Sequence, residues 1–145
     1  MLRAQEFMEA SAFLSLRTDR FSPVAGFLAC RAIELSLKAF VAARGHRLNA
    51  KLSLGHDLTR LLIEAYARGI DHFVDLSPVD RKLLVSVSKD YAGHKWAYYD
   101  IPWSIGGGIM PDPYALDITA RRLVSAMEPI CLNLTAGSGD PLRLP

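Results

Sequence analysis

Arg31, Glu34 and Lys38 are the only charged residues between Pro23 and Ala43, in a stretch otherwise filled by residues such as Phe27, Leu28, Ile33, Leu37, Phe40 and Val41. At 100° per residue the three fall on one helix face, in a stripe about 60° wide. A carboxylate with a cation one turn before it and another one turn after it has two uses. On a solvated edge, Glu34 and Lys38 form a local pair of about 0.2–0.5 kcal/mol. At a groove or a subunit interface the same groups must satisfy one another, because an unpaired buried charge is costly. The stripe is then a candidate ligand-binding seam.

Two further clusters carry chemistry. Gly55-His56-Asp57-Leu58 places an imidazole beside a helix-capping acid; His56 can serve as an acid or base near neutral pH, or bond to backbone groups around the turn. Tyr91-Ala92-Gly93-His94-Lys95-Trp96-Ala97-Tyr98-Tyr99 sets four aromatics beside His94 and Lys95. Such faces can stack on a base while Lys95 holds a phosphate, as in single-strand binders, or they are core and interface aromatics with polar tips. The candidate ligand or interface residues are therefore Arg31, Glu34, Lys38, His56, Asp57, Tyr91, Lys95 and Tyr98. His56 and His94 are the candidate acid–base groups.

Helices must position these groups. Apolar residues at three- and four-residue steps predict a first helix over Leu2–Arg17. Ser22-Pro23 and Gly45 frame a second, from about Pro23 to Arg44. Asp57 caps a short third helix carrying Leu58, Leu61, Leu62, Ala65 and Tyr66, with Gly69 at its end. Ser77-Pro78-Val79-Asp80 starts a fourth that stops between Gly93 and Tyr99. Asp100 to Asp112, with two prolines and Gly106-Gly107-Gly108, reads as a loop. Asp112-Pro113 opens the last helix, which Pro129 is expected to kink. No stretch alternates with period two, so the chain predicts an all-α up-and-down bundle of four to five helices. One domain covers residues 1–136, followed by a flexible tail over 137–145.

Composition narrows the function classes. The chain has 145 residues, half of them apolar and 22% charged, which suits one domain with its own core. Seventeen basic against fifteen acidic residues give a formal charge of +2, too balanced for binding dominated by phosphate electrostatics. Cys30 and Cys131 lie in apolar stretches and imply no disulfide framework, and Met1 to Ala10 lacks a secretory apolar run, so a cytoplasmic protein is expected. Val24 to Ala43 is long enough to cross a bilayer, but its three central charges make it a core helix, and no membrane association is expected. The four histidines lack metal-ligand spacing, the glycine run lacks a P-loop ending, and no nucleophile elbow exists, so neither metal nor cofactor is predicted.

Ala32-Ile33-Glu34-Leu35-Ser36-Leu37-Lys38-Ala39-Phe40, then Gly55-His56-Asp57-Leu58, then Tyr91 with Lys95 and Tyr98, resembles the HEPN superfamily of small helical bundles over roughly residues 20 to 130. The resemblance implies a homodimer, found beside nucleotidyltransferase partners or in toxin–antitoxin and defence systems, that binds nucleotides or RNA. Many such proteins are metal-independent ribonucleases using an Arg and a His separated by four to six residues in a late helix. That pattern is absent here: the last histidine is His94, and Arg68 and His72 have three residues between them. The resemblance therefore points to a non-catalytic module binding a nucleotide, RNA or a nucleotidyltransferase. A divergent ribonuclease using His56 or His94 is the alternative, and a purely structural interaction protein the third reading.

Overall fold

The computed structural model describes residues 1–17, 23–44, 55–96 and 111–137, and for 17, 113 and 131–137 the backbone alone. Five α-helices and one short 3₁₀ turn make up the described residues, with no strand among them: α1 (Leu2–Arg17), α2 (Pro23–Ala43), α3 (Leu58–Tyr66), the 3₁₀ turn Ile70–His72, α4 (Pro78–Ala92) and α5 (Pro113–Gly137). The all-α expectation is met. α2 is the axis: α1, α3 and α5 all pack on it, α1 also touches α5, and α4 bridges α3 and α5. Its composition explains this position, since a helix apolar nearly all round must be covered on nearly every side. Ile33, Leu37 and Phe40 are fully buried there and join Leu58, Leu61, Leu84, Leu116, Leu123 and Met127 in one core.

The helix starts follow local chemistry. Asp57 accepts from the Arg60 amide at 3.0 Å and caps α3. Ser77 accepts from the Asp80 amide while Asp80 accepts from the Ser77 amide, a reciprocal capping box opening α4. Asp112 Oδ1 accepts from the Tyr114 amide at 2.9 Å at the start of α5. α2 ends at Ala43, one residue before the predicted end, although the Arg44 amide still donates to the Phe40 carbonyl at 3.0 Å. α5 carries Pro129 within a continuous helical run to Gly137. The predicted loop over 100–110 and tail over 138–145 lie outside the described residues, as does Tyr98.

Candidate functional site

Glu34 sits in the middle of α2 with no exposed surface. A carboxylate there has no helix terminus to cap, so its partners must come from its own helix and from other elements. Arg31 and Lys38, one turn to either side, supply the first two. The third and fourth arrive through α4. Ser88 Oγ accepts from the Thr59 amide at 3.1 Å and donates to Asp57 Oδ1 at 3.0 Å, which fastens the entrance of α3 to the inner face of α4. Tyr91, three residues on along that face, reaches Glu34, while the fastened turn brings in His56. Gly55, at φ +52°, makes the turn in a left-handed conformation that L side chains resist.

Four groups meet at this carboxylate. Lys38 Nζ donates to Oε1 at 2.5 Å, and Arg31 Nη1 lies 3.0 Å from both oxygens. Tyr91 Oη donates to Oε2, and His56 Nδ1 is 3.0 Å from the same oxygen. An ionised carboxylate only accepts, so His56 must carry its proton on Nδ1, and in the neutral ring Nε2 keeps a lone pair. The 3.4 Å approach of Arg31 Nη1 to Nδ1 is then two donors crowding one acceptor. While Glu34 is fully buried, the side chains of Arg31, Lys38 and His56 remain 31%, 27% and 37% exposed. The anion is inside and its nitrogen partners form a rim at the surface.

Burial by itself pushes the Glu34 carboxyl up, but hydrogen bonds from Lys38, Tyr91 and His56 and the charge of Lys38 outweigh it and hold it below its ordinary value. Burial also raises the Tyr91 phenol, helped by the neighbouring carboxylate, so Tyr91 keeps the proton that it donates to Glu34. Arg31 stays charged: burial disfavours its cation, but Glu34 more than offsets this. With two fixed cations around one anion, the cluster carries net positive charge, more if His56 is protonated.

His94 joins it from the end of α4. The Lys95 amide donates to the Asp90 carbonyl at 3.1 Å and the His94 amide to the Tyr91 carbonyl at 3.0 Å, the paired bonds of a Schellman ending. The left-handed position of that motif, usually glycine, is occupied by His94 at φ +56°. Its ring centroid lies 4.9 Å from that of His56, at 71°. Two imidazoles thus stand side by side at the edge of the ionic cluster.

The described candidate residues separate into two groups. Arg31, Glu34, Lys38, His56 and Tyr91 converge, and His94 adjoins them. Asp57 is adjacent in sequence but spends its carboxylate on the α3 cap and Ser88, while Lys95 pairs with Asp90 at 3.2 Å. Tyr91 and Trp96 are buried, so of the two readings of the aromatic cluster these rings follow the core one. The chain matches no family model, no curated protein and no solved structure. Among the described residues no group of three or more His, Cys, Asp or Glu is placed to hold a metal ion, and no helix is long and apolar enough to cross a membrane.

Sequence reasoning missed a second polar node. Asp80, buried, accepts from Ser77, from Thr119 Oγ1 at 3.1 Å and from Arg122 at 2.9 Å, tying α4 to α5. The signal was present: Asp80 falls in the same helical row as Leu84, Val87 and Tyr91, an acid on an apolar stripe.

Proposed function

We propose that this chain is a HEPN-like up-and-down helical module, acting as a homodimer, that binds a phosphate-bearing ligand, a nucleotide or RNA, at the rim formed by Arg31, Lys38 and His56. One observation carries the reading: a fully buried carboxylate gathers three nitrogen groups and leaves each about a third exposed. Holding cationic heads in place beforehand removes part of the ordering entropy of binding an anion. The balanced overall charge fits a local site rather than a broad basic surface. A nucleotidyltransferase is the partner that the sequence resemblance suggests.

Thermal shift with ATP, and anisotropy with a labelled ten-nucleotide oligouridylate, test the site. A ligand that prefers the native state raises the midpoint. The expected result is a rise with at least one of the two, lost in Lys38→Ala and His56→Ala. No shift with either ligand at moderate salt contradicts binding at this rim. Light scattering tests the dimer, which a strict monomer at micromolar concentration contradicts.

A second reading, metal-independent RNA cleavage, is favoured by the adjacent rings of His56 and His94. One imidazole would take the 2′-hydroxyl proton as that oxygen attacks phosphorus, and the other would protonate the departing 5′-oxygen, leaving a cyclic phosphate and a free 5′-hydroxyl. Cleavage lost in both His56→Ala and His94→Ala, with the fold intact, brings this reading forward. Intact RNA after prolonged incubation with the wild type removes it.

A further inference from the structure

We propose that the outward face of α4 is a docking groove for an acidic amphipathic helix of a partner protein. α4 turns Asp80, Leu84, Val87, Ser88 and Tyr91 inward, all buried. At 100° per residue the opposite side carries Pro78, Lys82, Val85 and Lys89 in one row, flanked by Val79 and Arg81. Val79 and Val85 are 71% and 51% exposed. Pro78, Arg81, Lys82, Val85 and Ser86 line a shallow, mainly apolar hollow.

Within α4 the charge on this face has one sign, and the one acid beside it among the residues lining its hollows is Asp57, which borders Val85 and Lys89. Of the two acids in α4, Asp80 points inward to Ser77, Thr119 and Arg122, and Asp90 pairs with Lys95. The outward side keeps Arg81, Lys82 and Lys89 with no acid of the same helix among them. Arg81 is held in place, its guanidinium 5.8 Å over the Tyr66 ring and its Nη1 donating to the Tyr66 hydroxyl at 3.3 Å. Paired Arg and Tyr side chains are the residue types that dominate binding energy at protein interfaces.

These features select the occupant. The row from Pro78 to Lys89 is three turns long, about 16 Å, the span of a short helix laying apolar anchors at i, i+3/i+4 and i+7 along the valines. Carboxylates flanking those anchors would meet Arg81, Lys82 and Lys89. Nucleic acid would use the cations but leave the exposed valines nothing apolar to bury against. A two-fold dimer across this face would set cations against the same cations. The groove lies on the side of α4 opposite Tyr91, so it stands independently of the phosphate site.

The test is anisotropy on the full chain, at physiological salt, with a labelled helical peptide bearing leucines at three- and four-residue steps flanked by glutamates. Its comparators are the same peptide with lysines for glutamates, and an oligouridylate. The acidic peptide should bind at least about tenfold more tightly than the basic one. Val85→Asp, and separately the double variant Lys82→Glu/Lys89→Glu, should each weaken it by about tenfold or more with the melting midpoint kept, while Lys38→Ala should leave it unchanged. Equal binding of the two peptides, or indifference to Val85→Asp, overturns the proposal. So does oligouridylate binding at least as tightly as the acidic peptide and competing with it on the wild-type chain, or self-association of the chain that Val85→Asp abolishes.

Discussion

Two carboxylates, Glu34 and Asp80, are each buried and each ringed by donors, yet they differ in where those donors lead. Asp80 stands in the first turn of α4, where a carboxylate has a local reason to exist: it completes a capping box and meets the unpaired amides of a helix start. Its further partners, Thr119 and Arg122, join one helix to the next. Glu34 stands mid-helix, where nothing local asks for a charge. Three of its four partners are ionisable nitrogen groups whose heads reach the surface. The first arrangement builds structure, with the half-exposed Arg122 as its one ionisable partner. The second uses a buried anion to hold cations toward solvent, at the expense of desolvation.

The comparison breaks most readily by substitution. Glu34→Ala should destabilise by about 3 kcal/mol, since it strands the buried Tyr91 hydroxyl and sets like charges of Arg31 and Lys38 side by side. It should also abolish ligand-induced stabilisation. Asp80→Ala should cost about 2 kcal/mol through the lost cap and the lost bonds from Thr119 and Arg122, but leave ligand binding intact. Chemical denaturation of both variants, with and without ATP, separates the two roles. Equal effects of the two substitutions on binding would erase the distinction.

Acid sharpens it. Burial raises both carboxyls, but for Glu34 the bonds from Lys38, Tyr91 and His56 win, and for Asp80 those from Ser77 and Thr119 with the charge of Arg122; both end below their ordinary values of 4.5 and 3.8. The unfolded chain therefore takes up protons before the folded one does. Stability from these groups is complete above about pH 4.5 and falls as pH drops through the folded-state values. Glu34→Gln should flatten the part of this loss that begins near pH 4.5, and Asp80→Asn the part that begins lower. Urea midpoints measured from pH 6 down to pH 2.5 in the three proteins check this. The smallest effect belongs to Gly55→Ala. An added methyl meets nothing within 4 Å, so only the left-handed backbone resists it, by about 1 kcal/mol. Because that turn delivers His56, the variant should weaken ligand binding more than its stability loss suggests, as thermal shift with ATP would show.

What could be read from the residues was what is local. Ser77-Pro78 and Asp57 announce helix starts because a cap acts within three residues, and the narrow stripe of Arg31, Glu34 and Lys38 is visible because helix geometry fixes it. The convergence of His56 and Tyr91 on Glu34 was not legible, since these partners lie 22 and 57 residues away and only the packing of α3 on α2 and of α4 on α3 brings them together. The Asp80 node was overlooked for a related reason. Its capping role accounted for the acid, so nothing demanded the cross-helix partners Thr119 and Arg122. His94 appeared in sequence as part of an aromatic cluster; its place in a left-handed helix ending beside His56 depends on where α4 stops.

Glu34 fixes the His56 ring with its Nδ1 proton directed at the buried carboxylate. Long-range ¹H–¹⁵N NMR of the histidines at pH 8, with and without ATP, tests this most directly. The expected result is a His56 ring held with its proton on Nδ1, an Nε2 signal that shifts on adding ATP, and loss of both features in Glu34→Gln. A His56 protonated on Nε2, or averaging between the two forms and indifferent to Glu34→Gln, would contradict it.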